Sequence, residues 1–130
     1  MHLVRIKEER DIVDARGTAK EIAREMGFGL VDQTRISTAV SELARNIFHY
    51  AGEGEVRIEA DCHPHKGIRI TFTDKGPGIE DVELAMTDGW SSARSMGKGL
   101  PGAKRLADRM ELESEPGNGT KIAIEKWLPK

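Results

Sequence analysis

Glu42 and Asn46 stand four residues apart in the run Glu42-Leu-Ala-Arg-Asn46. On a helix, that spacing stacks a carboxylate and a side-chain amide on adjacent turns of one side. The amide oxygen is a hard ligand suited to Mg2+, which binds through few protein groups and completes its shell with water and substrate phosphates. The carboxylate beside it can take a proton. The pair alone also reads as a Glu and an Asn on a solvated helix face.

Asp74-Lys-Gly76-Pro-Gly78 places an acidic side chain where an apolar, alternating stretch gives way to a glycine turn. An ionised carboxylate only accepts hydrogen bonds. It can receive the exocyclic amine of adenine, whereas guanine would set a carbonyl against it. A turn in which Asp74 bonds its own backbone is the alternative. Gly97-Lys-Gly99-Leu-Pro-Gly102 leads into a helical pattern, so unhindered amides and a helix N-terminus can converge on phosphate oxygens, with Lys98 or Arg94 adding charge. No GK[ST] follows, so this is not a P-loop. The run reads equally as a flexible loop before a capped helix. Gly117-Asn-Gly119-Thr120, taken alone, is a hairpin turn.

The elements that must hold these groups follow from the periodicity. Residues 2–8 predict a strand. Ile12, Ala15, Ala19, Ile22, Ala23 and Met26 recur at helical spacing from Glu9 or Asp11 to Gly27. Ile36, Val40, Leu43, Ile47 and Tyr50 make the strongest stripe, predicting a helix from Val31 to about Ala51 with Asp32 as N-cap. Glu42 and Asn46 border that stripe. The period then changes to two: Val56, Ile58 and Ala60, then Ile68, Ile70 and Phe72, predict an antiparallel pair with one relatively polar sheet face. A short helix over 81–86, a mobile loop to Gly99, a helix from Leu100 to about Arg109, and strands near 111–114 and 120–127 complete the chain.

Composition narrows the setting. At 130 residues the chain has room for one domain, spanning 1–130. Twenty Lys and Arg against 22 Asp and Glu give a net charge of −2, which recommends neither nucleic acid nor an anionic membrane as partner. The single cysteine, Cys62, forms no internal disulfide. No stretch approaches the roughly 20 apolar residues of a membrane span, and the start is too charged for a secretory signal, so the expected location is cytoplasmic. Cys62, His63 and His65 supply three of the four ligands a structural zinc site needs, too few for such a site. Trp90 fits either a docking anchor or packing of its own loop.

Together and in this order, the four motifs resemble the nucleotide site of the GHKL ATPase/kinase superfamily, named for gyrase, Hsp90, histidine kinases and MutL. The resemblance implies a Bergerat-type ATP-binding fold: an α/β two-layer sandwich with a mixed, mostly antiparallel sheet and helices on one face. It implies ATP and Mg2+ as ligands, with Glu42 as general base and Asn46 as metal ligand. Asp74, Gly76 and Gly78 would hold adenine, and Gly97, Lys98, Gly99, Leu100 and Gly102, with Arg94, would wrap the phosphates. Thr120 would close the site. The chain lacks the transducer domains and dimerisation helix of larger members, and is similar to the minimal bacterial protein serine kinases that act on anti-sigma antagonists. That branch implies STAS-domain stressosome proteins as substrate and scaffold, and a PP2C-type phosphatase activated by the released kinase. An anti-sigma factor with kinase activity, or a non-catalytic nucleotide-gated binding module, is the alternative. Where many relatives have Ala after the Asn and Lys or His four positions beyond it, this chain has Ile47 and Tyr50.

Overall fold

The computed structural model describes residues 1–60, 65–76, 99–115, 117 and 119–129, with Gly99, Leu100 and Glu115 described by their backbone alone. Strand β1 (His2–Ile6) leads to helix α1 (Glu9–Met26), then α2 (Leu30–Asn46) and a π-helical turn (Ile47–Ala51). Strands β2 (Gly54–Glu59) and β3 (Gly67–Asp74) precede helix α3 (Gly99–Leu106), and β4 (Arg109–Glu115) and β5 (Gly119–Trp127) follow it.

Helix α1 starts where Asp11 accepts the Lys7 and Glu8 amides, each at 2.9 Å, and ends at Gly27, whose φ of 98° admits the left-handed cap. The turn into α2 is tied internally by Gln33, whose buried Nε2 donates to the Phe28 carbonyl at 2.8 Å. The expected Asp32 cap is corrected: Gly29 is the N-cap, in extended conformation, and Asp32 lies in the first turn. There it complements the helix dipole and meets Arg35 at 3.2 Å and Lys126 at 3.8 Å. The single helix expected to run to Ala51 also departs from regularity, ending as α at Asn46 and continuing as the π-turn.

The strands form one sheet in the order β1-β2-β3-β5-β4, and all four pairings are antiparallel. Val56, Ile58, Ile68, Ile70, Phe72, Ile122 and Ile124 are buried in one core with Ile12, Ala15, Ala19 and Ile22 of α1 and Ile36, Val40 and Leu43 of α2. Helix α2 packs against both α1 and α3. Removing that apolar area from water, at about 25 cal/mol per Å2, is the main stabilising term.

The other side chains of the strands are largely polar, as strand alternation requires. Among them Glu125 is nonetheless only 3% exposed. It pairs across the ladders with Arg69 on one side and Arg109 on the other. Arg69 Nη1 lies 2.6 Å from Glu125 Oε2, and Trp127 Nε1 donates to Oε1 at 2.9 Å. Burial alone would raise this carboxyl's pKa, but the Trp127 and Arg69 hydrogen bonds and the charges of Arg69 and Arg109 bring it below the usual range. His65 stacks on the Trp127 ring with centroids 4.0 Å apart.

Candidate functional site

Asp74 closes β3 at the point where three segments meet. It pairs with Gly54 of β2 on one side and Thr120 of β5 on the other. Its side chain is almost fully buried, and Oδ1 accepts the Gly76 amide at 2.8 Å. The Thr120 amide also donates to the carboxylate. Burial pushes the Asp74 carboxyl above the usual carboxylate range, while these two amides oppose the shift. Both sequence alternatives for Asp74 therefore coexist: it bonds its own turn through Gly76, and it remains a buried acceptor at the end of a strand.

Gly119 is what lets β5 come this close. Its φ is 87°, and a Cβ there would fall 2.2 Å from the Asp74 carbonyl oxygen and 2.8 Å from Lys75 Cα. Any side chain would be both strained and in collision. Thr120 is also buried. Ser114 Oγ donates to the Gly119 carbonyl at 3.0 Å and lies 3.0 Å from Thr120 Oγ1. With the Ser114 proton committed to that carbonyl, the Thr120 hydroxyl donates to Ser114 and keeps its lone pairs as acceptors. Asp74, Ser114, Gly119 and Thr120 line a hollow of about 270 Å3. Asp74 also borders a second hollow of about 480 Å3, with Arg5, Lys7, Glu55 and Lys75.

Glu42 and Asn46 sit at the carboxyl end of α2, both half-buried beside the stripe of Leu43 and Ile47. Arg45 Nη1 lies 3.3 Å from Glu42 Oε1, an exposed ion pair of the kind that adds little stability. The π-turn continues from Asn46 and packs against β2 and β3, which links this helix end to the Asp74 end of the sheet. Gly76 lies within that contact. Helix α3 begins at Gly99, and at Gly102 an added Cβ would meet no described neighbour within 4 Å. Gly78, Arg94, Gly97 and Lys98 lie outside the described residues, as do Cys62, His63, Trp90 and the expected helix over 81–86. Only the backbone of Leu100 is described.

The groups present suit an adenine nucleotide. A buried carboxylate that only accepts, neighbouring backbone amides and an acceptor hydroxyl match the edge of adenine. The half-buried amide of Asn46 supplies a hard oxygen for a divalent cation. Among the described residues no group of three His, Cys, Asp or Glu side chains could hold a metal by itself. Ser114 was not legible as a site residue from its own position. Its signal lay in the hairpin register, since the Gly117 to Gly119 turn sets Ser114 opposite Thr120.

The chain belongs to the histidine kinase-, DNA gyrase B- and HSP90-like ATPase family, whose model matches residues 31–130. The site just described is thus an ATP site. Within the family, the chain is an RsbT-like serine/threonine kinase. It is 53% identical over 127 residues to the serine/threonine-protein kinase RsbT of Bacillus subtilis (strain 168), covering 96% of this chain and 95% of that relative. The anti-sigma F factor of Clostridium beijerinckii is 37% identical over 98 residues, or 70% of this chain and 68% of the relative. Among solved structures, the catalytic domain of histidine kinase ThkA matches with a TM-score of 0.57 at 18% identity, over 98% of this chain and 97% of that one. Full-length ShkA in complex with AMPPNP matches with a TM-score of 0.59 at 19% identity, over 88% of this chain and 28% of that one. These likenesses show the Bergerat fold. No helix among the described residues is long and apolar enough to cross a membrane.

Proposed function

We propose that the chain transfers the γ-phosphoryl group of ATP to a serine or threonine hydroxyl on a STAS-domain protein of a stressosome-like complex. Once released from that complex, it binds and activates a PP2C-type phosphatase. The observation that carries this reading is the 53% identity, over nearly the whole of both chains, to a serine/threonine-protein kinase.

In this reading Asp74 accepts the exocyclic amine of adenine and Thr120 lies beside it as a further acceptor. Asn46 holds Mg2+, which when bound neutralises charge on the phosphates. The amides from Gly97 to Gly102, with Leu100 between them and Lys98 and Arg94 adding charge, surround the phosphate end. Gly76 and Gly78 allow the loop to close on the base. Glu42 accepts the proton of the incoming hydroxyl. Phosphoryl transfer asks the protein mainly for position and electrostatic stabilisation, and a helix end facing a strand end supplies fixed groups for both. The location that fits this role is the cytoplasm.

Incubation with labelled ATP and a purified STAS-domain protein tests the reading, with label expected on a serine or threonine of the STAS protein. No transfer under conditions where ATP binds would overturn it. The similarity to anti-sigma F factors favours a second reading, sequestration of a sigma factor by the same fold. Capture experiments with a sigma factor and with a STAS protein, side by side, separate the two.

A further inference from the structure

The π-turn that follows Asn46 has two points of contact with the sheet end, and each lies against a glycine next to Asp74. The turn closes with the Gly52 amide on the Ile47 carbonyl at 3.0 Å, a five-residue step that holds one residue more than an α-turn. At its start, Ile47 is buried against Gly54: a Cβ on Gly54 would fall 2.7 Å from Ile47 Cγ2 and 3.2 Å from Asp74 Cβ. At its end, Ala51 lies against Gly76: a Cβ on Gly76 would fall 2.7 Å from Ala51 Cβ and 3.1 Å from Asp74 Oδ1. Gly76 is the residue whose amide holds that same oxygen. Single π-turns within helices are rare and concentrate at functional sites.

We infer that Ala51 and Gly54, which lie outside the four motifs, are positioning residues of the nucleotide site. The π-turn seated on Gly54 and Gly76 is a spacer that sets the distance between the Asn46 end of α2 and the Asp74 carboxylate. This rests on the reading of Asp74 as the adenine acceptor and Asn46 as the metal ligand. A nucleotide has a set span from base to phosphate-bound metal, so two grips on it work together only when their separation matches. Misplacement by about 1 Å at a distance from the chemistry can cost on the order of a hundredfold. The contacts are made by methyl groups and glycines with no slack, so the spacing is fixed sterically and not by a flexible charge pair.

The test is calorimetry of the full chain with adenosine, with ATP plus a chelator, and with ATP plus Mg2+. Ala51→Gly removes one methyl group from the spacer. It is expected to bind adenosine as the wild type does while losing about tenfold of the affinity that Mg2+ adds, the scale of coupling between contacting groups. Gly76→Ala displaces the Asp74 carboxylate itself and weakens all three ligands. Adding Ala51→Gly to it makes room for the new methyl and restores adenosine binding to within about threefold of wild type, again as contact coupling requires. Loss of general stability cannot separate adenosine from the Mg2+ increment in this way. If Ala51→Gly leaves the increment unchanged, or lowers adenosine and the increment equally, the inference is overturned. Should Gly76→Ala not fold, Ala51→Gly decides alone. Asp74→Asn is measured in parallel: unchanged adenosine affinity there overturns the underlying site reading as well, whereas a normal loss there with an inert Ala51→Gly overturns the spacer only.

Discussion

Asp74 and Thr120 face each other across the β3–β5 ladder, and the Thr120 amide donates to the Asp74 carboxylate. The residue that selects the base is thus held by the backbone of the neighbouring strand. Because burial raises its pKa, its charged form is disfavoured in the folded protein, and nucleotide binding must draw on that form.

Two opposite pH dependences follow from Asp74. Its folded pKa is raised, so the native state takes up a proton before the unfolded state does. Stability linked to Asp74 therefore increases as pH falls from above its folded pKa toward the usual carboxylate value, and is diminished above that window. The unfolding free energy of wild type minus that of Asp74→Asn, from urea titrations, should rise on acidification through the window. ATP affinity should fall across the same window, as the acceptor is protonated, and Asp74→Asn should bind ATP weakly at every pH.

Glu42→Ala and Glu42→Gln should retain ATP binding and lose phosphotransfer by about a hundredfold to ten-thousandfold, the usual scale of a general base. Single-turnover transfer to a STAS-domain protein, alongside calorimetry with ATP, checks both halves. Full transfer activity in either variant would remove Glu42 from the role.

Gly119→Ala combines a left-handed φ with a Cβ 2.2 Å from the Asp74 carbonyl oxygen. The strain alone is about 1–3 kcal/mol. Urea denaturation should show at least that loss, and ATP affinity should fall with it because the Thr120 amide moves with its neighbour. A variant of wild-type stability and affinity would show that β5 can withdraw from Asp74 without consequence.

Glu125→Ala leaves Arg69 and the Trp127 indole without their shared acceptor, at an expected loss of about 1–3 kcal/mol. The folded pKa of Glu125 is lowered, so its contribution is fully present above the ordinary carboxylate value and is lost as pH falls through the folded one. The stability gap between wild type and Glu125→Ala should therefore narrow in acid, the reverse of the trend at Asp74. Urea titrations at two pH values decide it.

Much of this architecture is written in local periodicity. Ile12, Ala15 and Ala19, and Ile36, Val40 and Leu43, announce two amphipathic helices, and all six are buried. Val56 to Phe72 announce the central strand pair by alternation, and Asp74 and Gly76 were legible because a strand ending in an acidic turn is a local pattern. Asp32 misled because an acidic residue in a first turn satisfies the dipole as well as a cap does, and only backbone geometry tells them apart. The π-turn left no trace, since Ile47 and Tyr50 continue the spacing of a regular helix. The burial of Glu125 depends on Arg69, 56 positions away, and no local pattern carries such a contact. The close fits of Gly54 and Gly76 are likewise properties of the assembled sheet end.

The π-turn can also be viewed as a length variant: five residues complete a turn where about four would serve in an α-helix. Deleting one residue between Phe48 and Tyr50 would let the ladder revert to α geometry with Ile47 still in the core. Everything beyond it would swing by about 100° around the helix axis, the angle one residue subtends, and Ala51 would leave Gly76. In evolutionary terms, the smallest edit that keeps the scaffold and silences the nucleotide grip is therefore an indel, and shortened descendants of this chain would persist as folded, non-binding scaffolds.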